Sequence, residues 1–249
     1  MREPAATPPV TGKTERPPRG AFFLSSADAA HAARLALERL WPREAFFDVL
    51  EQYVALLLEA NARINLTRVV EPEAIARLHL LDALAALPLV DALGPTCAVD
   101  VGSGGGVPGL ALAIARPDIA WTLVDSVGKK AAILRGFADR LSLENVSVLA
   151  ERVETLGRDA AHRERYDVVT ARACAPLPVL VELALPLLKP GGQLLAWKGP
   201  LAGDEPEVRA GNGVSLLLGG GEPRLVDAGH AALKQIGRAS CRERVCELV

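Results

Sequence analysis

The stretch Asp100-Val101-Gly102-Ser103-Gly104-Gly105-Gly106-Val107-Pro108-Gly109 decides the fold. It follows a short apolar run, Cys97 to Val101, and opens a helical pattern over Leu110 to Ala115 that Pro117 closes. Outward from it the pattern repeats. Trp121 to Val124 reads as a strand and Lys129 to Leu141 as a helix; Val146 to Leu149, Tyr166 to Thr170 and Gln193 to Trp197 read as further strands. An apolar helix over Leu177 to Leu188 precedes the last of these, and Val214 to Leu218 and Arg224 to Val226 read as candidate strands beyond it. Strands alternating with helices predict an α/β fold, a doubly wound and mostly parallel sheet. Ligands of such sheets bind at the carboxyl ends of the strands.

Glycines in a strand-to-helix loop let the chain turn sharply and let a ligand approach closer than a Cβ would allow. Two cofactor classes use this. Gly104, Gly106 and Gly109 fit the G-x-G-x-x-G spacing that holds a pyrophosphate at a helix N-terminus. Asp100, Gly102 and Gly104 fit the loop of methyltransferases, whose ligand S-adenosylmethionine carries a cationic sulfonium and an ammonium group. A carboxylate at Asp100 attracts that positive methionine end and repels a pyrophosphate, so the methyltransferase reading is preferred to a nicotinamide-dependent one.

Other candidates sit at the same predicted edge. Asp125 ends the second strand, where an acid accepts hydrogen bonds from ribose hydroxyls or caps the next helix. Val153 and Glu154 follow the third strand and either bracket an adenine ring or simply start a solvated helix. Arg172, after the fourth strand, pairs with a phosphate, with a cofactor carboxylate, or structurally with Asp125 or Glu154. Lys198 after the fifth is a similar case.

Ahead of the sheet lie three helical patterns, Ala27 to Leu40, Glu44 to Ile64 and Glu71 to Leu87, with Pro72 in a first turn. The predicted organisation is a disordered Pro-rich leader over 1–25, a helical extension over 26–92, the cofactor-binding domain over 93–233 and an atypical tail over 234–249. The 249 residues are half hydrophobic and 23% charged, ordinary globular composition. No run approaches the roughly 20 apolar residues of a membrane span, and no signal-peptide core is present. Cys97, Cys174, Cys241 and Cys246 lack metal-ligand spacing; the first two lie in apolar surroundings and are expected to be buried thiols. A cytoplasmic monomer without metal is the expectation. Net charge of −2 means that any RNA contact must come from a local basic face.

Taken in order, Asn65-Leu66-Thr67, His79-Leu80-Leu81-Asp82, the Asp100 to Leu110 loop, Leu123 to Lys129, Arg152-Val153-Glu154, Thr170-Ala171-Arg172-Ala173 and Leu195 to Gly199 resemble the RsmG (GidB) family. These bacterial enzymes methylate N7 of one guanine in small-subunit (16S) ribosomal RNA, and the match spans Phe46 to Gly199. The resemblance implies a class I (Rossmann-like) methyltransferase with S-adenosylmethionine as cofactor and small-subunit RNA, or the subunit itself, as partner. It places Gly102, Val107, Val153, Glu154 and Arg172 on cofactor-contacting positions and Asp125 and Ser126 on the ribose-side turn. Arg172 is the candidate positioning residue for catalysis, and Arg172→Ala is expected to lower transfer with the fold intact. Asn65, His79 and Asp82 match family positions without a derivable role; His79 on an apolar helix face reads as a packed histidine.

Because guanine N7 is an unprotonated lone-pair nucleophile, no general base and no metal are required, only alignment. Arg63, Arg68, Lys129, Lys130, Arg135, Arg172 and Lys198 are candidates for a positive rim. Competing readings are a methyltransferase for a small molecule or protein, and a non-catalytic RNA-binding relic. The run from Lys234 to Val249 departs from the family and reads as foreign or frame-shifted sequence. It is expected to contribute nothing, and the sheet to lack its final edge strand.

Overall fold

A computed structural model describes residues 24–198, 206–222, 224–226 and 244–248. The leader before residue 24 and the segment from 227 to 243 lie outside the described residues. The chain begins with helices α1 (Ser26–Glu38), α2 (Phe47–Asn61) and α3 (Pro72–Ile75), a π-helical segment (Ala76–Leu81), α4 (Asp82–Leu84) and α5 (Leu87–Leu93). Ser25 caps α1 by accepting a hydrogen bond from the Asp28 amide, and alanines at 29, 30, 33 and 36 form its buried face. In α2 the helical spacing of Phe47, Leu50, Val54 and Leu57 buries one stripe, with Tyr53 inside it. Gly94, in the left-handed region at φ 57°, stops α5.

The sheet then builds as β1 (Cys97–Val101), α6 (Gly109–Ala115), β2 (Ala120–Val124), α7 (Gly128–Arg140), β3 (Val146–Leu149), α8 (Val153–Leu156), β4 (Tyr166–Arg172), α9 (Leu177–Ala184), β5 (Leu188–Lys198), α10 (Pro206–Leu217), β6 (Arg224–Val226) and β7 (Arg244–Leu248). Strand order is β3-β2-β1-β4-β5-β7-β6. The first five are parallel, and β7 runs antiparallel between β5 and β6. The order reverses between β1 and β4, which opens a crevice at their carboxyl ends. One buried cluster joins the N-terminal helices to a sheet face, from Ala30 and Tyr53 through Leu110 to Trp121 and Trp197. A second, with Val99, Val169, Leu180 and Leu194, fills the other face under α9. The helical extension therefore shares its core with the sheet. No described helix is long and apolar enough to cross a membrane.

Several expectations are corrected. Val214 to Leu218, read as a strand, belongs to α10 and the turn after it. Its glycines mask the helix, yet Gly211 is required there: a Cβ would lie 2.7 Å from Leu177 Cγ on α9. The helix over Glu71 to Leu87 is broken into α and π turns, and the one from Leu177 ends at Ala184 before Pro186. The tail does not leave the sheet without a final strand. Arg244–Leu248 pairs with β5 from Leu194 to Lys198, because an open edge presents backbone donors and acceptors that any extended segment can satisfy. Cys97 and Cys174 are not buried thiols: the former is half-buried at the start of β1 and the latter exposed in the loop after β4.

At the amino edge of the sheet, Asp167 accepts hydrogen bonds from the Thr96 and Cys97 amides, the Thr96 hydroxyl and Lys189 Nζ. Burial alone would raise its pKa, but the Lys189 and backbone bonds prevail and hold it well below the usual carboxylate range. A depressed folded-state pKa stabilises above the unfolded value near 4 and is lost as pH falls below it. Asp167→Asn is thus expected to cost about 1–3 kcal/mol at pH 7 and progressively less as pH falls from 4 to 2, in urea melts at pH 7 and across that range. Gly136, mid-α7 at an ordinary φ, has nothing within 4 Å of an added Cβ. Gly136→Ala is expected to raise stability by about 0.5–1 kcal/mol, measured the same way.

Candidate active site

The glycine loop is shaped by its own backbone bonds. Gly102 and Ser103 amides both donate to the Val124 carbonyl, Gly104 N to Asp125 Oδ2, and Gly106 N to the Ser103 carbonyl. Gly102 and Gly104 hold left-handed φ values of 71° and 56°, which a side chain resists. Four amides of the loop are therefore engaged within the protein and are not free to meet a pyrophosphate. Tyr53 reaches across from α2 to donate its hydroxyl to the Gly105 carbonyl at 2.8 Å. Its burial pushes the phenol pKa up, so it stays a donor. The sequence offered no signal for this contact beyond a tyrosine inside an apolar stripe.

Asp100 ends up under the loop, 1% exposed. Its Oδ1 accepts from Thr170 Oγ1 at 2.7 Å, and Oδ2 has no hydrogen-bond partner. Burial raises its pKa to about 6, and the Thr170 bond offsets this only in part. Asp125, buried just past β2, ties Gly104 N with one oxygen and Val127 N with the other, so it both braces the loop and starts α7. Ser126 is exposed beside it.

A cavity of about 160 Å³ opens at the carboxyl ends of β1 and β4. Its walls include Gly102, Gly104, Val107 and Arg172 from the sheet side and Thr67 and His79 from the helical extension. Arg172, the last residue of β4, donates Nη1 to the Leu78 carbonyl and to Asp82 Oδ2 at 2.6 and 3.0 Å, and Nη2 to His79 Nδ1 at 3.0 Å. Its structural partner is thus Asp82, not Asp125 or Glu154. Leu78 and His79 in the π-helical segment and Asp82 at the start of α4, three and four positions apart, lie on one side of the helical run and meet Arg172 there. This gives His79 and Asp82 their role. Burial, then the Arg172 charge, lowers the His79 pKa to about 4. The ring is neutral at pH 7, and with both nitrogens engaged it is unsuited to act as a base. Asn65 is exposed in the loop after α2, which Asn61 holds by accepting from the Leu66 and Thr67 amides.

Val153 and Glu154 are not brought to this cavity. They line a separate hollow of about 560 Å³ beside α8, α9 and the start of β5, and Glu154 pairs with Arg152 at 2.8 Å. Volume favours that hollow; chemistry favours the smaller one, which alone of the two holds the glycine loop and the buried Arg172 network. Lys198 is likewise structural, bonded to the Ala175 carbonyl and to Glu207, which in turn caps α9 at Leu177 N. Arg135 donates to the Val148 carbonyl and Arg63 lies 3.8 Å from Glu59. Arg68 and Lys129 remain as exposed candidates for the rim. The cavity has glycine backbone in its wall and open space beside Gly104, and the Asp100 carboxylate lies buried beneath the loop, outside the lining.

The model of the GidB family, described as rRNA small subunit methyltransferase G, matches residues 47–216. The chain belongs to this family. A ribosomal RNA small subunit methyltransferase G from Roseiflexus sp. (strain RS-1) is 50% identical over 169 residues, covering 68% of this chain and 71% of the relative. One from Deinococcus deserti is 46% identical over 175 residues, 69% and 71% of the two chains. Among solved structures, the O-methyltransferase from Bacillus cereus in complex with SAH superposes with a TM-score of 0.58 at 18% identity, covering 88% and 97% of the two chains. A SAM-dependent O-methyltransferase from Thermotoga maritima gives 0.52 at 12%, covering 77% and 70%. These two likenesses establish the class I methyltransferase fold of this family member. The family match begins at Phe47, so the part of the helical extension from α2 onward is covered by it.

Proposed function

We propose that the chain transfers the methyl group of S-adenosylmethionine to N7 of one guanine in small-subunit ribosomal RNA. The observation that carries this reading is the single cavity in which the glycine loop meets Thr67, His79 and Arg172, in a chain matched over 47–216 by the family model. Gly102, Gly104 and Val107 would hold the methionine end, with the Asp100 charge below it, and Asp125 and Ser126 the ribose. The adenine would lie farther along the edge, toward Val153 and Glu154. When bound, the cofactor supplies an electrophilic methyl carbon on a positively charged sulfur.

The protein's part is to bind, orient and exclude water. Arg172, fixed through three partners, is a rigid wall that sets the distance between the base and the loop. No residue need remove a proton from N7, which agrees with a site whose histidine is neutral and fully bonded. Exposed Arg68 and Lys129 would meet phosphates at the mouth. The test is an acceptor panel with methyl-labelled cofactor: unmodified small subunits, large subunits, total protein and small catechols. Label in small-subunit RNA alone is expected. Label in a catechol or a protein instead would replace this reading with another class I methyltransferase activity.

A further inference from the structure

Thr67 stands in the cavity wall with a proton to give and no lone pair left. His79 Nδ1 lies 3.1 Å from the Leu78 carbonyl and 3.0 Å from Arg172 Nη2. Arg172 is a permanent donor, and a hydrogen on Nδ1 would face the guanidinium hydrogen aimed at it, so the ring nitrogen accepts from Arg172 and leaves the Leu78 carbonyl to Nη1 at 2.6 Å. A neutral imidazole that accepts at Nδ1 carries its hydrogen on Nε2. Nε2 lies 2.8 Å from Thr67 Oγ1 and therefore donates to it. The Val69 amide donates to the same oxygen at 3.0 Å. Both acceptor positions of the hydroxyl are filled, and its own hydrogen is held as a pure donor beside the cavity. The Arg172–His79 network thus fixes the polarity of Thr67 as well as its position.

A fixed donor next to a purine N7 reads one thing. Guanine shows two acceptors on that edge, N7 and O6, whereas adenine shows N7 beside an amino donor. We propose that Thr67 selects guanine, its hydroxyl donating to O6 of the base whose N7 is methylated. The inference rests on the N7 methyl-transfer reading above. A cofactor carboxylate is the other acceptor that could reach the cavity. It is better matched by a charged fork such as Arg172, and Thr67 belongs to the helical extension, not to the glycine loop.

The experiment measures kcat/KM for methyl transfer by the wild-type chain, Thr67→Val and Thr67→Ser. Small subunits carry either guanine or 2-aminopurine at the methylated position; 2-aminopurine keeps N7 and lacks O6. Cofactor affinity without RNA is measured in parallel. On guanine, Thr67→Val is expected to lose about tenfold and Thr67→Ser to stay within about threefold of wild type. On 2-aminopurine the wild type itself is expected to lose about tenfold and Thr67→Val nothing further, with cofactor affinity level throughout. A wild type indifferent to O6 overturns the inference whatever the variants do. So does a Thr67→Val loss that is equal on both bases, or one that appears in cofactor affinity. Wild type that labels no guanine N7 on any RNA overturns the underlying reading and this inference with it.

Discussion

Arg172→Ala is expected to lower stability by about 3–5 kcal/mol and to take methyl transfer below detection. Both effects have one origin. The guanidinium and the Asp82 carboxylate are 14% and 5% exposed, so removing one strips a nearly dry carboxylate of its guanidinium. The same change takes a donor from the Leu78 carbonyl and from His79 Nδ1, loosening the π-helical wall of the cavity. This differs from the sequence-based expectation of an intact fold, because Asp82 is ninety positions away in the chain and only the structure brings it to β4. Urea melts and a single-turnover assay measure the two losses. Arg172→Ala/Asp82→Asn is expected to regain most of the stability and none of the activity. A single variant that melts like wild type would reduce Arg172 to a ligand contact.

The second large effect is expected at Gly109. A Cβ there would lie 2.4 Å from Asp100 Cβ and 2.7 Å from its Oδ2, inside van der Waals contact with a fully buried side chain. This is the third glycine of the G-x-G-x-x-G spacing, the one that lets helix and strand pack closely. Gly109→Ala must push α6 off β1 and carry the loop with it, since Leu110 N is bonded to the Gly106 carbonyl. Overpacking of this kind costs about 1–3 kcal/mol or more, and a displaced loop should weaken cofactor binding at least about tenfold. Gly104→Ala is the contrast. Its Cβ meets nothing nearer than the Gly102 carbonyl at 3.7 Å, so its penalty comes from the left-handed φ of 56°, about 1–2 kcal/mol, and from ligand space. Thermal melts and calorimetric titration with S-adenosylhomocysteine separate them. Equal melting temperatures for Gly109→Ala and wild type would contradict the packing described.

The sheet from Cys97 to Lys198 was legible because each strand is a short apolar run followed by a turn signal, and the glycine loop fixes which edge matters. The loop residues, Asp125 and Arg172 were legible for the same reason, each marking a strand's carboxyl end. The partners of Arg172 were not. His79 and Asp82, three positions apart, share a helix face, but that this face meets the end of β4 some ninety residues on is a tertiary fact with no local sequence code. Tyr53 could not be told from its apolar neighbours in α2, since a tyrosine fills a core position and reaches a polar atom equally well. α10 was misread because Gly211, Asn212 and Gly213 depress helix propensity at the place where close packing on Leu177 demands a glycine. Strand β7 was missed because it answers to the open edge of β5, a tertiary requirement.

The central claim is tested most directly by mapping the methyl group. Small subunits lacking this modification are incubated with the purified chain and S-adenosylmethionine, and the RNA is digested and read by mass spectrometry. One N7-methylguanine at a single site of the small-subunit RNA is the expected result, absent when Arg172 is replaced. A methyl group on another atom, on many guanines, or on no RNA despite measured cofactor binding would contradict it.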